Sequence, residues 1–172
     1  MLKSVAVLGS GGHTSEMMTL IQSIPETLKP VHYIIAESDK TTPNALKNTP
    51  ENFIHKIHRS REVNQNMVLS LLVHIPWAML ECLFLMWRLK PDFVLVNGPG
   101  TCVPVCFVAW FLSKLRLNPP CKIVFVESIC RVQSLSLSAR ILLNIVTCVL
   151  VQWPELLHKY PNKNLRYIGQ LS

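Results

Sequence analysis

Ser4-Val-Ala-Val-Leu-Gly-Ser-Gly-Gly-His-Thr14 sets a short apolar run directly against three glycines, a histidine and a threonine. A run that is apolar at successive positions, rather than at alternate ones, reads as a strand buried on both faces of a parallel sheet. The segment after it, His13 to Ser23, is helical in pattern. The whole stretch therefore reads as strand, glycine loop and helix, with the positive end of the helix facing the loop. The same grammar repeats downstream. Strand-like runs at 31–36, 52–57, 93–96, 122–126, 147–151 and 165–168 alternate with helical stretches at 63–89, 102–115, 135–144 and 155–160. That alternation predicts the α/β class, with a doubly wound, mostly parallel Rossmann-like sheet. No repeat or linker divides the chain, so residues 1–172 read as one domain. The loop from Glu37 to Glu51, with Pro43 and Pro50, reads as the most mobile segment.

A chain of 172 residues builds one core of ordinary size and leaves no room for two catalytic domains. Apolar residues make up 49% and charged residues 16%, against about 25% charged in an average domain. With a mean hydropathy of +0.30, this excludes a disordered chain. Seventeen basic against ten acidic residues leave a net charge of +7, which suits phosphates or lipid headgroups. Nucleic acid is disfavoured, because the basic residues are scattered and do not interleave with aromatics. The six cysteines form no CxxC pair and no zinc spacing, so they read as free thiols in a reducing, cytosol-facing location. The apolar run Val5 to Leu8 is too short for a signal peptide.

Chemistry concentrates at strand ends. Gly11, Gly12 and Thr14 follow the first strand as an anion cradle. A dinucleotide fingerprint would need glycine where Thr14 stands, so an oxidoreductase with Glu37 as ribose ligand is the weaker alternative. Asn97, Gly98, Gly100 and Thr101 end the fourth strand in the same way. In the common strand order 3-2-1-4-5-6, strands one and four flank the crevice where ligands bind. The two loops then face one site, with a pair of purely structural turns as the alternative. Glu127 ends the fifth strand and Arg131 follows it. That pair serves either as proton acceptor and phosphate ligand or as a helix cap. His13 is the other candidate base, since imidazole is the commonest general acid–base group and this one stands beside the cradle. Arg59 and Arg61, before the longest helix, read either as phosphate ligands or as a solvated turn. No carboxylate pair or histidine spacing suggests a metal.

From Met67 to Trp87 only His74 and Glu81 are ionisable. The stretch is long enough to span a bilayer. Pro76 and Glu81 oppose that, and spanning would put strands three and four on opposite sides of the membrane. Residues 67–87 therefore read as an interfacial helical segment with Trp77, Trp87 and Trp110 as anchors. An internal core helix is the alternative.

Taken together, Gly9-Ser-Gly-Gly-His-Thr-Ser-Glu-Met17, Arg59-Ser-Arg-Glu-Val63, Asn97-Gly-Pro-Gly-Thr-Cys-Val-Pro104, Val126-Glu-Ser-Ile-Cys-Arg-Val132 with Leu135-Ser-Leu-Ser138, and Val151-Gln-Trp-Pro154 resemble one family. It is the acceptor-side subunit of the eukaryotic two-subunit N-acetylglucosaminyltransferase of dolichol-linked oligosaccharide assembly, the asparagine-linked glycosylation protein 14 family. The resemblance runs from the first strand almost to the C-terminus. It implies the N-terminal-type half of a split GT-B glycosyltransferase, similar in architecture to the bacterial transferase that makes the lipid-linked peptidoglycan precursor. A separate soluble subunit would carry the UDP-N-acetylglucosamine site, and this chain alone would be inactive. The implied heterodimer adds the second N-acetylglucosamine to N-acetylglucosaminyl-diphosphodolichol at the cytosolic face of the endoplasmic reticulum, a membrane continuous with that of the nucleus. It needs neither cofactor nor metal.

On that basis the glycine loops, with Arg59, Arg61 and Arg131, are expected to hold the acceptor pyrophosphate. His13, or else Glu127, would take the proton of the acceptor 4-hydroxyl. Tyr167, Ile168, Gly169 and Leu171 would contact the donor subunit. Family members usually carry a membrane anchor before the first strand, whereas this sequence starts at that strand, so 67–87 is expected to do the holding unless an anchor is missing. A membrane scaffold without catalytic residues is the alternative function.

Overall fold

The computed structural model describes residues 2–9, 11–39, 41–58, 74–98, 100–161 and 164–171. The apolar runs pair into one sheet of seven strands: β1 (Ser4–Val7), β2 (Val31–Ala36), β3 (Ile54–Ile57), β4 (Phe93–Asn97), β5 (Lys122–Val126), β6 (Cys148–Val151) and β7 (Leu165–Tyr167). Their order is β3-β2-β1-β4-β5-β6-β7 and every pairing is parallel. This is the expected doubly wound sheet, extended by one strand at its far edge.

Side chains alternate across the sheet, so a strand covered on both faces must be apolar at every position. Val5, Val7, Val94 and Val96 face one side, where they pack with Cys82 and Met86 of helix α3 (Ile75–Leu89) and Val105, Cys106 and Ala109 of helix α4 (Cys102–Lys114). Ala6, Leu8 and Leu95 face the other, against Met17 and Ile21 of helix α1 (Gly12–Ser23) and Leu46. Two short helices, α5 (Leu137–Leu142) and α6 (Glu155–Lys159), complete the first face.

Three departures from expectation each have a local reason. The loop Glu37–Glu51 contains a helical turn, α2 (Thr42–Ala45). Asp39 accepts hydrogen bonds from the Thr41 and Thr42 amides, and Thr42 and Leu46 are buried, so this segment is pinned to the sheet. Strand β3 starts two residues late because Pro50 launches a 3-10 turn over Glu51–Phe53. Helix α5 starts only after Ser136, whose side chain accepts the Ala139 amide as an N-cap. Of the long helix expected over 63–89, residues 63–73 lie outside the described residues. The described part carries Pro76 in its first turn and ends on Lys90 at φ 49°.

Apart from Glu81 and Arg88, helix α3 is apolar on both its buried and its exposed side. Ala78, Cys82 and Met86 recur at helical spacing on the buried side, and burial raises the Cys82 thiol to about 12. Trp77, Phe84 and Trp87 stand on the opposite side, 54%, 64% and 54% exposed, with Leu80 between them. Among the described residues no helix is long and apolar enough to cross a membrane.

Candidate functional site

Val7 and Val96 are register partners, so the loops after β1 and β4 leave the sheet side by side. Gly98 lies directly under the His13 ring. A Cβ built on it would stand 2.8 Å from His13 Cε1, and its φ is +68°. Only glycine meets both conditions. The half-buried His13 ring is thereby laid across the backbone of the second loop, where its Nδ1 bonds Asn97 Oδ1 at 2.9 Å.

Asn97 is buried, and its amide Nδ2 donates to Glu16 Oε2 at 2.8 Å. The other Glu16 oxygen accepts the Ile129 amide at 3.1 Å and the Ser128 hydroxyl at 3.3 Å. One carboxylate thus joins the ends of β4 and β5 to α1. Glu16 was not singled out as a site residue from sequence. The available signal was its place three residues after His13, next to Met17 on the inward face of α1, where a carboxylate 8% exposed has to be partnered.

Gly11 and Gly12 are exposed at the amino end of α1, as an anion cradle requires. Gly100 is exposed and Thr101 buried where α4 begins. Arg131 is exposed on the turn after β5. Arg59 and Arg61 lie outside the described residues.

For three of the expected residues the hydrogen bonding shows structural partners. The Thr14 hydroxyl turns inward to the Gly9 carbonyl and to Thr42, and its amide bonds Gly11 O, so it braces the loop from beneath. Asn97 is bonded through both side-chain atoms, Oδ1 to His13 and Nδ2 to Glu16, so its side chain links these two residues. Glu127 is 1% exposed, with Oε2 accepting the Ser136 amide at 2.7 Å and Oε1 the Ser128 amide at 3.2 Å. Burial raises its pKa against the lowering effect of those bonds and of Arg131. A general base must reach the proton it removes. Glu127 is instead braced against the capped start of α5, the cap alternative of the two readings open in the sequence.

Gln152, also outside the expected set, uses both ends of its buried amide. Nε2 donates to Glu127 O at 3.1 Å, and Oε1 accepts the Leu171 amide at 2.7 Å. Trp153 Nε1 donates to Ile129 O at 2.6 Å. Tyr167 is exposed at the end of the edge strand and Ile168 just after it, and Gly169 turns the chain at φ 80°. Among the described residues, no three His, Cys, Asp or Glu side chains gather as a metal site. A cavity of 510 Å³ lined by Lys29, Tyr33 and Phe53 opens where β2 and β3 begin, at the opposite end of the strands from the His13 crevice.

The fold is similar to that of two solved structures. A MurG from Acinetobacter baumannii superposes with a TM-score of 0.63 at 16% identity, over 97% of this chain and 45% of its own. The UDP-GlcNAc 2-epimerase of Methanocaldococcus jannaschii gives 0.67 at 14% identity, over 98% and 46%. This chain spans a little under half the length of both structures. Curated relatives are closer in sequence. The UDP-N-acetylglucosamine transferase subunits ALG14 of Mus musculus and Homo sapiens are each 40% identical, over 99% of this chain and 83% of theirs. The alg14 subunit of Schizosaccharomyces pombe is 39% identical, over 94% and 79%. The family model described as oligosaccharide biosynthesis protein Alg14 like matches residues 4–171, from the first strand through the tail bonded to Gln152, so the resemblance seen in the motifs holds and the chain belongs to the Alg14 family.

Proposed function

We propose that this chain is the acceptor-binding subunit of a split UDP-N-acetylglucosamine transferase that adds the second N-acetylglucosamine to N-acetylglucosaminyl-diphosphodolichol. The observation that carries this reading is the His13 ring held across the joint of two glycine loops. The acceptor diphosphate lies against the exposed amino end of α1 and the Gly100 turn, with Arg131 alongside. The acceptor 4-hydroxyl attacks the anomeric carbon of the donor from the face opposite UDP. The O4–C1 bond forms as the C1–phosphate oxygen bond breaks, His13 receives the hydroxyl proton and UDP leaves with inversion.

Two surfaces serve the assembly. Trp77, Phe84 and Trp87 rest in the lipid interface at the cytosolic face of the endoplasmic reticulum, with Arg88 and Lys90 at headgroup level. Tyr167 and Ile168 on the open edge of β7 meet a soluble donor-binding subunit, reached through the tail that Gln152 holds.

The test is transfer from labelled UDP-N-acetylglucosamine to a short-chain N-acetylglucosaminyl-diphospho-lipid by this chain, by a donor-binding subunit, and by the two mixed. Product only from the mixture, falling about 10²- to 10⁴-fold with His13→Ala, is the expected result. Product from this chain alone, or full turnover with His13→Ala in an assembled complex, overturns the reading.

A further inference from the structure

The hydrogen bonds behind His13 decide which of its nitrogens can act. Glu16 faces donors with both oxygens, namely the Ile129 amide and Ser128 hydroxyl on one and Asn97 on the other. An ionised carboxylate only accepts, so Asn97 has to present its NH₂ to Glu16. The Asn97 side chain then has only its carbonyl oxygen left for His13. That oxygen accepts, so the ring nitrogen 2.9 Å from it, Nδ1, carries the proton. Nε2 is left with the lone pair.

We infer that Glu16 is a positioning residue which, through Asn97, locks His13 in the tautomer protonated on Nδ1 and so keeps Nε2 available as a proton acceptor. The same carboxylate sets the start of the β5 turn by holding the Ile129 amide, so the tautomer and the shape of the neighbouring loop depend on one group. Gly98 supports the arrangement by making room for the ring, since a Cβ there would stand 2.8 Å from Cε1. This deepens the proposed base role of His13, while the tautomer assignment itself stands on the geometry alone.

Glu16→Gln is the discriminating substitution. A glutamine has one acceptor and one donor end, so it cannot satisfy Asn97, Ser128 and the Ile129 amide together. If its NH₂ turns to Asn97, the asparagine flips and offers NH₂ to His13, whose Nδ1 must then be the acceptor. Nε2 becomes protonated and stops accepting.

The first measurement is ¹⁵N spectroscopy of the histidine-labelled full chain under conditions where the spectrum shows neutral imidazole, with the His13 signals identified by their loss in His13→Ala. The expected wild-type spectrum shows Nδ1–H with an unprotonated Nε2, and Glu16→Gln shifts His13 toward Nε2–H. A wild-type ring protonated on Nε2, or an unchanged tautomer in a folded Glu16→Gln chain, overturns the inference. The wild-type spectrum decides the point even if the variant does not fold.

The second measurement is steady-state transfer by the assembled complex. Glu16→Gln should lower kcat about 10²-fold with the acceptor KM within about twofold, and Glu16→Asp should recover part of it. Equal loss in kcat and rise in KM would make Glu16 a merely structural residue and count against the inference. If His13→Ala left turnover intact, the base role would fail while the spectroscopic result kept its meaning.

Discussion

Glu16 and Glu127 are both buried beside the turn that follows β5, and both accept backbone amides from it, yet they serve different ends. Glu127 finds its partners nearby, in the amide of the next residue and in Ser136, nine positions away. Glu16 reaches Asn97 and Ile129, 81 and 113 positions away. The first braces the start of a helix. The second gathers three strand ends around a histidine. Burial of a carboxylate therefore says little about its role, whereas the sequence distance to its partners says a good deal, because only the long-range bonds depend on the sheet order that builds the crevice.

The contrast is tested most forcefully on the Glu16 side, through the floor of the ring. Gly98→Ala would force a side chain into the left-handed region and set its Cβ against His13 Cε1. The His13–Asn97 bond should break, and transfer by the assembled complex should fall about 10²-fold or more with the Glu127 brace untouched. Turnover within twofold of wild type would mean that the ring position does not matter.

On the Glu127 side the loss should appear in stability. Glu127→Ala leaves the buried Ser136 amide without its acceptor, so the urea midpoint should fall by the equivalent of about 1–3 kcal/mol while turnover per folded molecule is retained. The sign with pH follows from burial, which raises the Glu127 pKa in the folded chain. Its contribution is complete below the unfolded carboxylate pKa and is lost as pH rises through the folded value. Glu127→Gln should flatten that part of the stability profile.

A smaller effect, from the opposite end of the strands, shows whether the contrast is confined to the crevice. His32 Nδ1 and His55 Nε2 lie 3.1 Å apart, and burial lowers both pKa values, aided by Lys3 for His32 and by His32 and Arg88 for His55. Depressed values mean stability that is present above the ordinary histidine pKa of about 6.5 and lost as pH falls below it. His55→Gln should shallow that acid-side slope in a thermal melt and leave transfer unchanged. A change in transfer would show that the strand bottoms report to the site.

The strands were legible because a parallel sheet demands uninterrupted apolar runs, and Val5 to Leu8 or Ile123 to Val126 admit little else. The two glycine loops and His13 were legible for a related reason, since strand order places them together once the strands are known. Glu16, Asn97 and Gln152 were opaque in role because their partners are fixed by register and rotamer, which no local pattern encodes. The helical turn inside the Glu37–Glu51 loop was hidden for the converse reason. Its polar, proline-containing composition offers no helical period, yet Asp39 uses that polarity to hold Thr41 and Thr42 while Thr42 and Leu46 turn inward.

The pairing of Val7 with Val96 has a consequence in the language of local unfolding. Both strands lie at the centre of the sheet, buried on both faces, and such strands exchange their amide hydrogens only when the whole domain opens. The strands from which both loops spring have no inexpensive partial opening, so the anchor points of the two loops hold their spacing. Strand β7, three residues long and paired on one side only, is the opposite case and should open at a small fraction of the global cost. If a partner chain docks on β7 as proposed, it meets a pliable rim while the loops at the centre of the sheet stay firmly rooted.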